Sequence, residues 1–245
     1  MGFKKNINEK VDVIILAGGL GTRLREVISD VPKVMAPINS RPFLDILLSF
    51  LNKWDCINRV IIAVGYMADK IIGEYKNSKK YDFKIFFSEE KELLGTGGAI
   101  KRALKYAETD NVLALNGDTY IDVNLKDFIE FHKSKNADMT IVLKEVENAN
   151  RYGLVKIDDK KKVIFFREKQ PASERGYINA GMYVFKRRLF DSIEDGNVLS
   201  LEKELLPRFL KKMIYGYVSN GKFIDIGIPE SYRMSDKFFN GMSLQ

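Results

Sequence analysis

The chain has 245 residues, 45% of them hydrophobic, and its 40 basic residues outnumber its 33 acidic residues to give a formal net charge of +7. This length suits one α/β domain with a sizeable core, and no apolar stretch approaches the roughly 20 residues that a membrane span needs. Without such a stretch, we expect a cytoplasmic protein that binds no membrane. Basic and acidic residues are interleaved along the whole chain, so we expect no nucleic-acid partner either.

The first half of the chain alternates predicted strands with predicted helices. Short apolar runs predict strands at 12–16, 59–64, 83–87, 112–115 and 139–146. Helical periodicity predicts helices at 43–53, 67–75, 97–107 and 126–135, and Pro42 opens the first of them. Such alternation is typical of βαβ units, and it predicts a mostly parallel sheet.

The second half of the chain has a different pattern, with short strands separated by turns. Strands are predicted at 154–157, 163–167, 178–185, 214–218 and 222–225, and helices at 200–210 and from Pro229 onward. We expect an antiparallel extension that carries a second substrate. No linker or internal repeat separates the halves, so they are predicted to share one core.

A glycine-rich loop directly follows the first predicted strand. Residues 16–23 are Leu-Ala-Gly-Gly-Leu-Gly-Thr-Arg, and Lys33 follows ten residues after Arg23. Backbone N–H groups of such a loop can approach a polyphosphate because no side chains intervene. The spacing completes neither the dinucleotide fingerprint nor the P-loop. A simple tight turn would explain the glycines but not the cations, so the loop predicts a phosphate site with Arg23 and Lys33 aimed into it.

Two aspartates stand at the ends of other predicted strands. Asp118 follows the strand at 112–115, and Asp225 ends a short apolar run. Mg²⁺ takes one or two carboxylates and completes its shell with water and phosphate oxygens. Aspartate before a turn is also common, so the metal interpretation depends on the nearby phosphate loop. A zinc site is not expected, because the sequence has one cysteine, Cys56, and one histidine, His132.

Together these motifs resemble the sugar-phosphate nucleotidyltransferases, the nucleoside-diphosphate-sugar pyrophosphorylases. The matching segments follow the family's order and spacing: 16–23 with Pro32 and Lys33, 94–99, 116–118, 152–153, 168–169, 179–181 and 225–230. Within the family, four stretches look most like the D-glycero-D-manno-heptose 1-phosphate guanylyltransferases: 24–27, 30–33, 35–38 and 41–44. The resemblance implies a single Rossmann-like domain over 1–245, with a mostly parallel mixed sheet and helices on both faces. Its nucleotide-binding half is about 11–150, and its sugar-phosphate half about 151–245.

The resemblance also implies a reaction. GMP would pass from GTP to a manno-heptose 1-phosphate with the help of Mg²⁺, giving GDP-heptose and pyrophosphate for capsule, lipopolysaccharide or S-layer glycans. The sugar phosphate is already ionised near neutral pH, so no general base is needed, and catalysis reduces to positioning and charge neutralisation. Mannose 1-phosphate, another hexose 1-phosphate with UTP, CTP or dTTP, and a catalytically silent nucleotide-sugar sensor stay open as alternatives. A homo-oligomer stays open as well.

By the same resemblance, individual residues acquire expected roles. Arg23 contacts the triphosphate and the leaving pyrophosphate, Lys33 contacts the α-phosphate and the sugar phosphate, and Asp118 and Asp225 hold Mg²⁺. The nucleotide is expected at Leu16, Ala17, Gly18, Gly19, Gly21, Thr22, Arg23, Glu89, Gly95, Thr96, Gly97, Asn116 and Asp118. Apart from the resemblance, the place of Glu89 at a predicted strand end makes it our own candidate acceptor for the guanine N1 and N2 donors, with a solvated loop as the alternative. The sugar phosphate is expected at Tyr152, Gly153, Glu168, Lys169, Asn179, Ala180 and Gly181.

Overall fold

The computed structural model describes residues 10–149, 152–167 and 175–242. Its first half contains β1 (Val11–Ala17), β2 (Pro37–Ile38), β3 (Arg41–Pro42), α1 (Phe43–Asn52), β4 (Ile57–Val64), α2 (Ala68–Tyr75), β5 (Lys84–Glu89), α3 (Gly95–Ala103), β6 (Asn111–Asn116), β7 (Thr119–Ile121), α4 (Leu125–Ser134) and β8 (Met139–Val146). Its second half contains β9 (Leu154–Ile157), β10 (Val163–Arg167), β11 (Gly176–Lys186), a π-helical turn (Leu201–Leu205) that continues into α5 (Leu206–Phe209), β12 (Ile214–Val218), β13 (Phe223–Asp225) and α6 (Pro229–Phe239). Short 3-10 turns lie at Lys33–Met35, Leu104–Tyr106 and Arg187–Phe190.

Within the described residues, nine of the strands form one mixed sheet. Strand β1 lies parallel to β4 and β6, β4 is parallel to β5, and β8 is parallel to β12. Strand β11 is antiparallel to its neighbours β6, β8 and β9, and β9 is antiparallel to β10. The predicted α/β architecture, with a mixed sheet and an antiparallel extension, is confirmed.

Both faces of the sheet are covered by helices, as predicted. In β1, Val13 and Ile15 belong to one hydrophobic cluster, which includes apolar residues of α1, α2 and α4. Ile14 belongs to the other cluster, which includes apolar residues of α3 and α5. The division follows from geometry, because successive strand side chains point to opposite faces. Among the helices of the described residues, none combines the length and apolar character that crossing a membrane requires.

Two small strand pairs lie outside the main sheet, and of their four strands the sequence predicted only β13, as 222–225. Strands β2 and β3 form a tight hairpin, and β7 pairs with β13 in a separate two-stranded sheet. Strands β2, β3 and β7 have two or three residues, which is too short to show a period of two, so pattern analysis missed them. The second pair matters for function, because it aligns Asp225 opposite Thr119, the neighbour of Asp118.

His132 on α4 is buried and hydrogen-bonded at both ring nitrogens. Nδ1 lies 2.9 Å from Thr140 Oγ1, and Nε2 lies 3.2 Å from Asn111 Oδ1. Burial, together with the nearby cations of Lys186 and Lys133, lowers the pKa of His132 to about 4. The imidazole is therefore neutral in the folded protein at neutral pH and links α4 to β6 and β8.

This depressed pKa predicts a loss of stability in mild acid. The unfolded chain protonates its histidine near pH 6.5, while the folded chain resists until about pH 4, so the free energy of unfolding falls between these values. The loss in the free energy of unfolding that protonation of His132 causes reaches about 3 kcal/mol below pH 4 and is absent above pH 6.5. Urea unfolding at pH 7.5 and pH 4.5 measures it. His132→Gln should lose less stability between the two pH values than the wild type, and an equal loss would contradict the prediction.

Candidate functional site

A cavity of about 280 Å³ opens at the carboxyl ends of β1 and β6. These parallel neighbours are in register up to Leu16 opposite Asn116, so the loops that follow them leave the sheet at the same edge. The cavity is lined by Leu16, Ala17, Gly18, Gly19, Lys33, Val34, Glu90, Leu93, Gly95, Thr96, Ala99, Asn116, Gly117 and Asp118. The structure thus brings together the glycine loop, the lysine and the first aspartate, which are distant in sequence.

The glycine loop presents bare backbone to this cavity. A Cβ added at Gly18 would lie 3.1 Å from Glu90 Oε1, so a larger residue would crowd the cavity wall. At Gly19 a Cβ would meet nothing within 4 Å, which leaves open space beside the backbone. Gly21 has a φ of 61°, a left-handed conformation that glycine adopts without strain. The loop can therefore approach a phosphate closely at Gly19.

Arg23 and Thr22 do not line the cavity in this structure. Both side chains are exposed, in the turn that follows Gly21. The neighbouring Arg25 is held locally, donating to Leu20 O at 3.1 Å. The structure therefore leaves Arg23 at the rim of the loop, facing solvent.

Three charged groups converge around Gly227. Lys33 Nζ forms an ion pair with Asp118 Oδ2, and the two side chains are 16% and 24% exposed. Asp225 Oδ1 accepts the Gly227 backbone N–H at 2.6 Å. A Cβ placed on Gly227 would lie 2.7 Å from Asp225 Oδ1, 3.4 Å from Asp118 Oδ2 and 3.5 Å from Lys33 Nζ. The predicted lysine and both predicted aspartates therefore share one small volume, which only a glycine leaves open.

The electrostatics of this cluster favour an ionised pair. Burial works against the charge of Asp118, but the adjacent Lys33 ammonium and its hydrogen bond hold the pKa of Asp118 below its usual range. Thr119 Oγ1 also donates to Asp118 Oδ1, at 3.2 Å. Across the cavity wall, Asn116 Oδ1 is buried without a hydrogen-bond partner among the described residues. Buried acceptors normally have a partner, so this oxygen can accept from a water or a ligand in the cavity.

The donor set fits a hard cation with few protein ligands. Asp118 and Asp225 supply two carboxylates, and the described part of the chain holds no group of three or more histidine, cysteine, aspartate or glutamate side chains arranged for a metal. Mg²⁺ accepts this arrangement, because it keeps several waters and takes phosphate oxygens as further ligands. A closed zinc or calcium site would need more protein ligands.

Of the two neighbouring glutamates, Glu90 lines the cavity, whereas the sequence had suggested Glu89. The Glu89 side chain is exposed, whereas Glu90 is 8% exposed and lines the cavity. Glu90 Oε2 accepts the Leu94 backbone N–H at 2.9 Å, and burial raises the pKa of Glu90. Strand alternation continues past β5, because the Glu90 N–H donates to Val64 O at 2.8 Å. Ser88 is fully buried, so the period of two could have identified Glu90 as the next inward residue.

The glycines at the start of α3 serve two purposes. Gly95 and Thr96 line the cavity, whereas Gly97 packs against a distant part of the chain. The Gly97 N–H donates to Leu199 O at 2.8 Å, and a Cβ on Gly97 would lie 2.6 Å from Leu205 Cδ1. A Cβ on Gly95 would lie 2.6 Å from Leu199 O. Gly95 and Gly97 therefore let the start of α3 pack closely against Leu199, just before the π-helical turn.

Two of the predicted sugar-phosphate residues, Glu168 and Lys169, lie outside the described residues. Tyr152 packs edge-on against Phe223, with ring centroids 5.6 Å apart. Gly153 is buried, and a Cβ there would lie 3.0 Å from Phe166 Cζ.

A bulge in β11 brings Gly181, one of the remaining predicted sugar residues, against Asn116 in the cavity wall. The pairing of β11 with β8 shifts register after Asn179, and Gly181 has a φ of 72°. A Cβ on Gly181 would lie 2.9 Å from Asn116 Nδ2, so this strand touches the end of β6. Ala180, in contrast, is 1% exposed and packs in the core, so the structure does not place it at the cavity surface.

The chain is similar to known proteins of one enzyme family. The nucleotidyl transferase family model matches residues 12–240. The chain is 42% identical over 228 residues to the D-glycero-alpha-D-manno-heptose 1-phosphate guanylyltransferase of Aneurinibacillus thermoaerophilus, covering 93% of this chain and 97% of that protein. The enzyme of the same name from Campylobacter jejuni is 40% identical over 222 residues, covering 91% and 97%.

A solved structure shows the same similarity. HddC from Yersinia pseudotuberculosis superposes with a TM-score of 0.84 at 38% identity, covering 94% of this chain and 99% of that chain. The same protein has been solved in complex with GMP-PN, and that structure superposes with a TM-score of 0.83 at 38% identity, with the same coverage.

Proposed function

The chain belongs to the nucleotidyl transferase family, and on that premise we propose that it transfers GMP from GTP to D-glycero-α-D-manno-heptose 1-phosphate. The products are GDP-heptose and pyrophosphate, and we place the reaction in the cytoplasm, in the synthesis of heptose-containing glycans. The two heptose 1-phosphate guanylyltransferases named above match nearly their whole length. The GMP-PN complex of HddC supports a guanine nucleotide in a fold of this kind.

The observation that carries the proposal is the convergence of Lys33, Asp118 and Asp225 beside a bare glycine loop. Phosphoryl and nucleotidyl transfer need little covalent help from the protein, because the attacking phosphate oxygen is already ionised. The difficulty is to bring two anions together, so cations and a hard metal at one point are what the reaction requires. The site provides charged groups at fixed positions, and His132, the single histidine of the chain, lies outside it on α4.

Each charged group then has a task. Lys33 neutralises the α-phosphate as negative charge builds on it, and Arg23, exposed at the loop rim, contacts the triphosphate from outside. Asp118 and Asp225 would hold Mg²⁺, which when bound supplies charge neutralisation to the phosphates. On the sugar side we assign Gly153, Glu168, Lys169 and Asn179.

Glu90 is our candidate for reading the base. A buried carboxylate that lines the cavity can accept from guanine N1 and N2, which adenine and the pyrimidines do not present in the same way. Glu90→Gln should lower kcat/KM for GTP by about 10-fold or more, the scale of a lost hydrogen bond to a charged group. Values for ATP, CTP and UTP should change much less. Pyrophosphate release with each nucleotide measures the effect.

The exposed neighbour provides the control for this prediction. Glu89→Gln removes the same charge one residue away, on the solvent side, and should keep the wild-type preference. An equal loss for all four nucleotides in Glu90→Gln would show that Glu90 shapes the pocket without reading the base.

The assay that tests the whole proposal is a substrate matrix. Four nucleoside triphosphates are combined with the 1-phosphates of heptose, mannose, glucose and N-acetylglucosamine, and pyrophosphate release is measured. We expect the highest kcat/KM for GTP with the heptose. Preference for mannose 1-phosphate would favour the alternative acceptor. The mannose-1-phosphate guanylyltransferase of Mycobacterium tuberculosis supports that alternative, because it is 34% identical to this chain over 226 residues. The chain covers 63% of that longer protein. Binding without release in every combination would indicate a nucleotide-sugar sensor.

A further inference from the structure

A chain of side-chain hydrogen bonds joins the cavity wall to β11 through Glu202, a residue of the π-helical turn. Thr96 Oγ1 lies 2.7 Å from Glu202 Oε2, and Tyr183 Oη lies 3.2 Å from Glu202 Oε1. Tyr183 Oη in turn accepts from Asn179 Nδ2 at 2.7 Å. One carboxylate therefore stands between a residue that lines the nucleotide cavity and a residue of the expected sugar site.

On the cavity side, the direction of the hydrogen bonds is determined by a backbone donor. The Leu201 N–H can only donate, and it lies 2.7 Å from Thr96 Oγ1. Thr96 has a single hydroxyl proton, which is then directed to Glu202 Oε2. Ser200 Oγ also reaches this oxygen, at 3.3 Å. Oε2 therefore receives two hydroxyls and must be an acceptor.

On the sugar side, the same reasoning orients an amide. The Gly181 N–H donates to Asn179 Oδ1 at 3.0 Å, so the nitrogen of this amide must face Tyr183. Tyr183 is fully buried, and because its oxygen accepts from Asn179, its proton goes to Glu202 Oε1. A carboxylate, which accepts at both oxygens, satisfies both sides of the chain.

We propose that Glu202 is a positioning residue for Asn179, acting through Tyr183 to fix how the amide meets the sugar 1-phosphate. The inference rests on the proposed function, in which Asn179 contacts the sugar. With one N–H and one lone pair used internally, the amide presents one further N–H and one further lone pair to the ligand. A sugar whose hydroxyls match this pattern binds better than one that leaves these groups unpaired.

The test compares Glu202→Gln, Tyr183→Phe and the double variant by steady-state kinetics. Glutamine keeps its oxygen toward the two hydroxyls at Thr96 and Ser200, so its N–H₂ turns toward Tyr183 and opposes the Asn179 donor. We expect the KM for the sugar 1-phosphate to rise about 10-fold, while the KM for the nucleotide changes less than about twofold. The double variant should be no worse than the worse single variant, because both break one chain.

Glu204→Gln is the matched control on the same turn. Its carboxylate accepts the Ser200 N–H at 2.8 Å and takes no part in the chain described above, so the sugar KM should stay at the wild-type value. The assay uses the sugar 1-phosphate and nucleotide that the wild type converts fastest, so a different substrate would refute the proposed function without affecting this test. If the wild type converts none, calorimetric binding of the sugar 1-phosphates replaces KM.

Three outcomes would overturn the proposal. The first is a sugar KM within about twofold of wild type in both single variants, and the second is effects that multiply in the double variant. The third is a lower melting temperature with unchanged KM, which would give the chain of hydrogen bonds a structural role alone.

Discussion

Replacing Lys33 with alanine should lower kcat by about 100-fold or more while the fold stays intact. Lys33 Nζ is the cation at the meeting point of the two aspartates and the glycine loop. In the proposed reaction, a positive charge held there beforehand stabilises the charge that develops on the α-phosphate, and it does so without reorganisation. Alanine removes the charge and leaves the phosphates facing two carboxylates, so the transition state loses more than the ground state.

The fold should survive because Lys33 lies at the cavity and its side chain is 16% exposed. Water can enter and solvate Asp118, which is 24% exposed and keeps its Thr119 hydrogen bond. Pyrophosphate release and thermal melting together measure the outcome. Lys80→Ala removes a lysine that is 62% exposed and outside this cavity, and it should retain wild-type kcat. Near-normal turnover in Lys33→Ala would refute the assigned role.

Asp225→Asn should produce a loss of similar size, about 100-fold in kcat, together with a higher Mg²⁺ concentration for half-maximal rate. The substitution separates charge from structure. An asparagine oxygen can still accept the Gly227 N–H, which now lies 2.6 Å from Asp225 Oδ1, so the turn after β13 keeps its geometry. Removing one of the two carboxylates weakens the binding of a cation between them, so the negative charge of the phosphates is less neutralised.

Two measurements separate this metal role from other causes. The rate is followed as Mg²⁺ is varied, and calorimetry compares the binding of GTP with and without Mg²⁺ in the absence of the sugar phosphate. Asp122→Asn, an exposed residue just past β7, is the control and should behave like the wild type in both. An unchanged Mg²⁺ requirement in Asp225→Asn would place the ion elsewhere.

The regular elements of the fold were predictable because each is long enough to show its period. Strands 139–146, 154–157, 163–167 and 214–218 have the predicted bounds, and the other long elements differ by a few residues at their ends. The predicted helix at 200–210 is the clearest difference. It begins as a π-helical turn, with Leu205 N donating to Ser200 O, and only its last turn is α-helical.

The site was predictable where its residues follow strands that neighbour each other. Leu16 and Asn116 end adjacent parallel strands, so the glycine loop and Asp118 had to meet at one edge of the sheet. Glu90 was missed because the expected strand stopped at 87, and the alternation that points Glu90 inward continues beyond that limit. Arg23 keeps its predicted role as a proposal, since its side chain is exposed in this structure.

By itself, the sequence determined the order of elements, the mixed α/β class, the place of the glycine loop after β1 and the family, because these depend on local period and spacing. Only the tertiary structure decided which side chains face one another. The β7–β13 pair, three residues on each strand, brings Asp225 to Lys33 and Asp118. The β11 bulge and the π-helical turn bring Asn179, Tyr183 and Glu202 into one chain. Such contacts join residues far apart in sequence, and no local pattern records their directions.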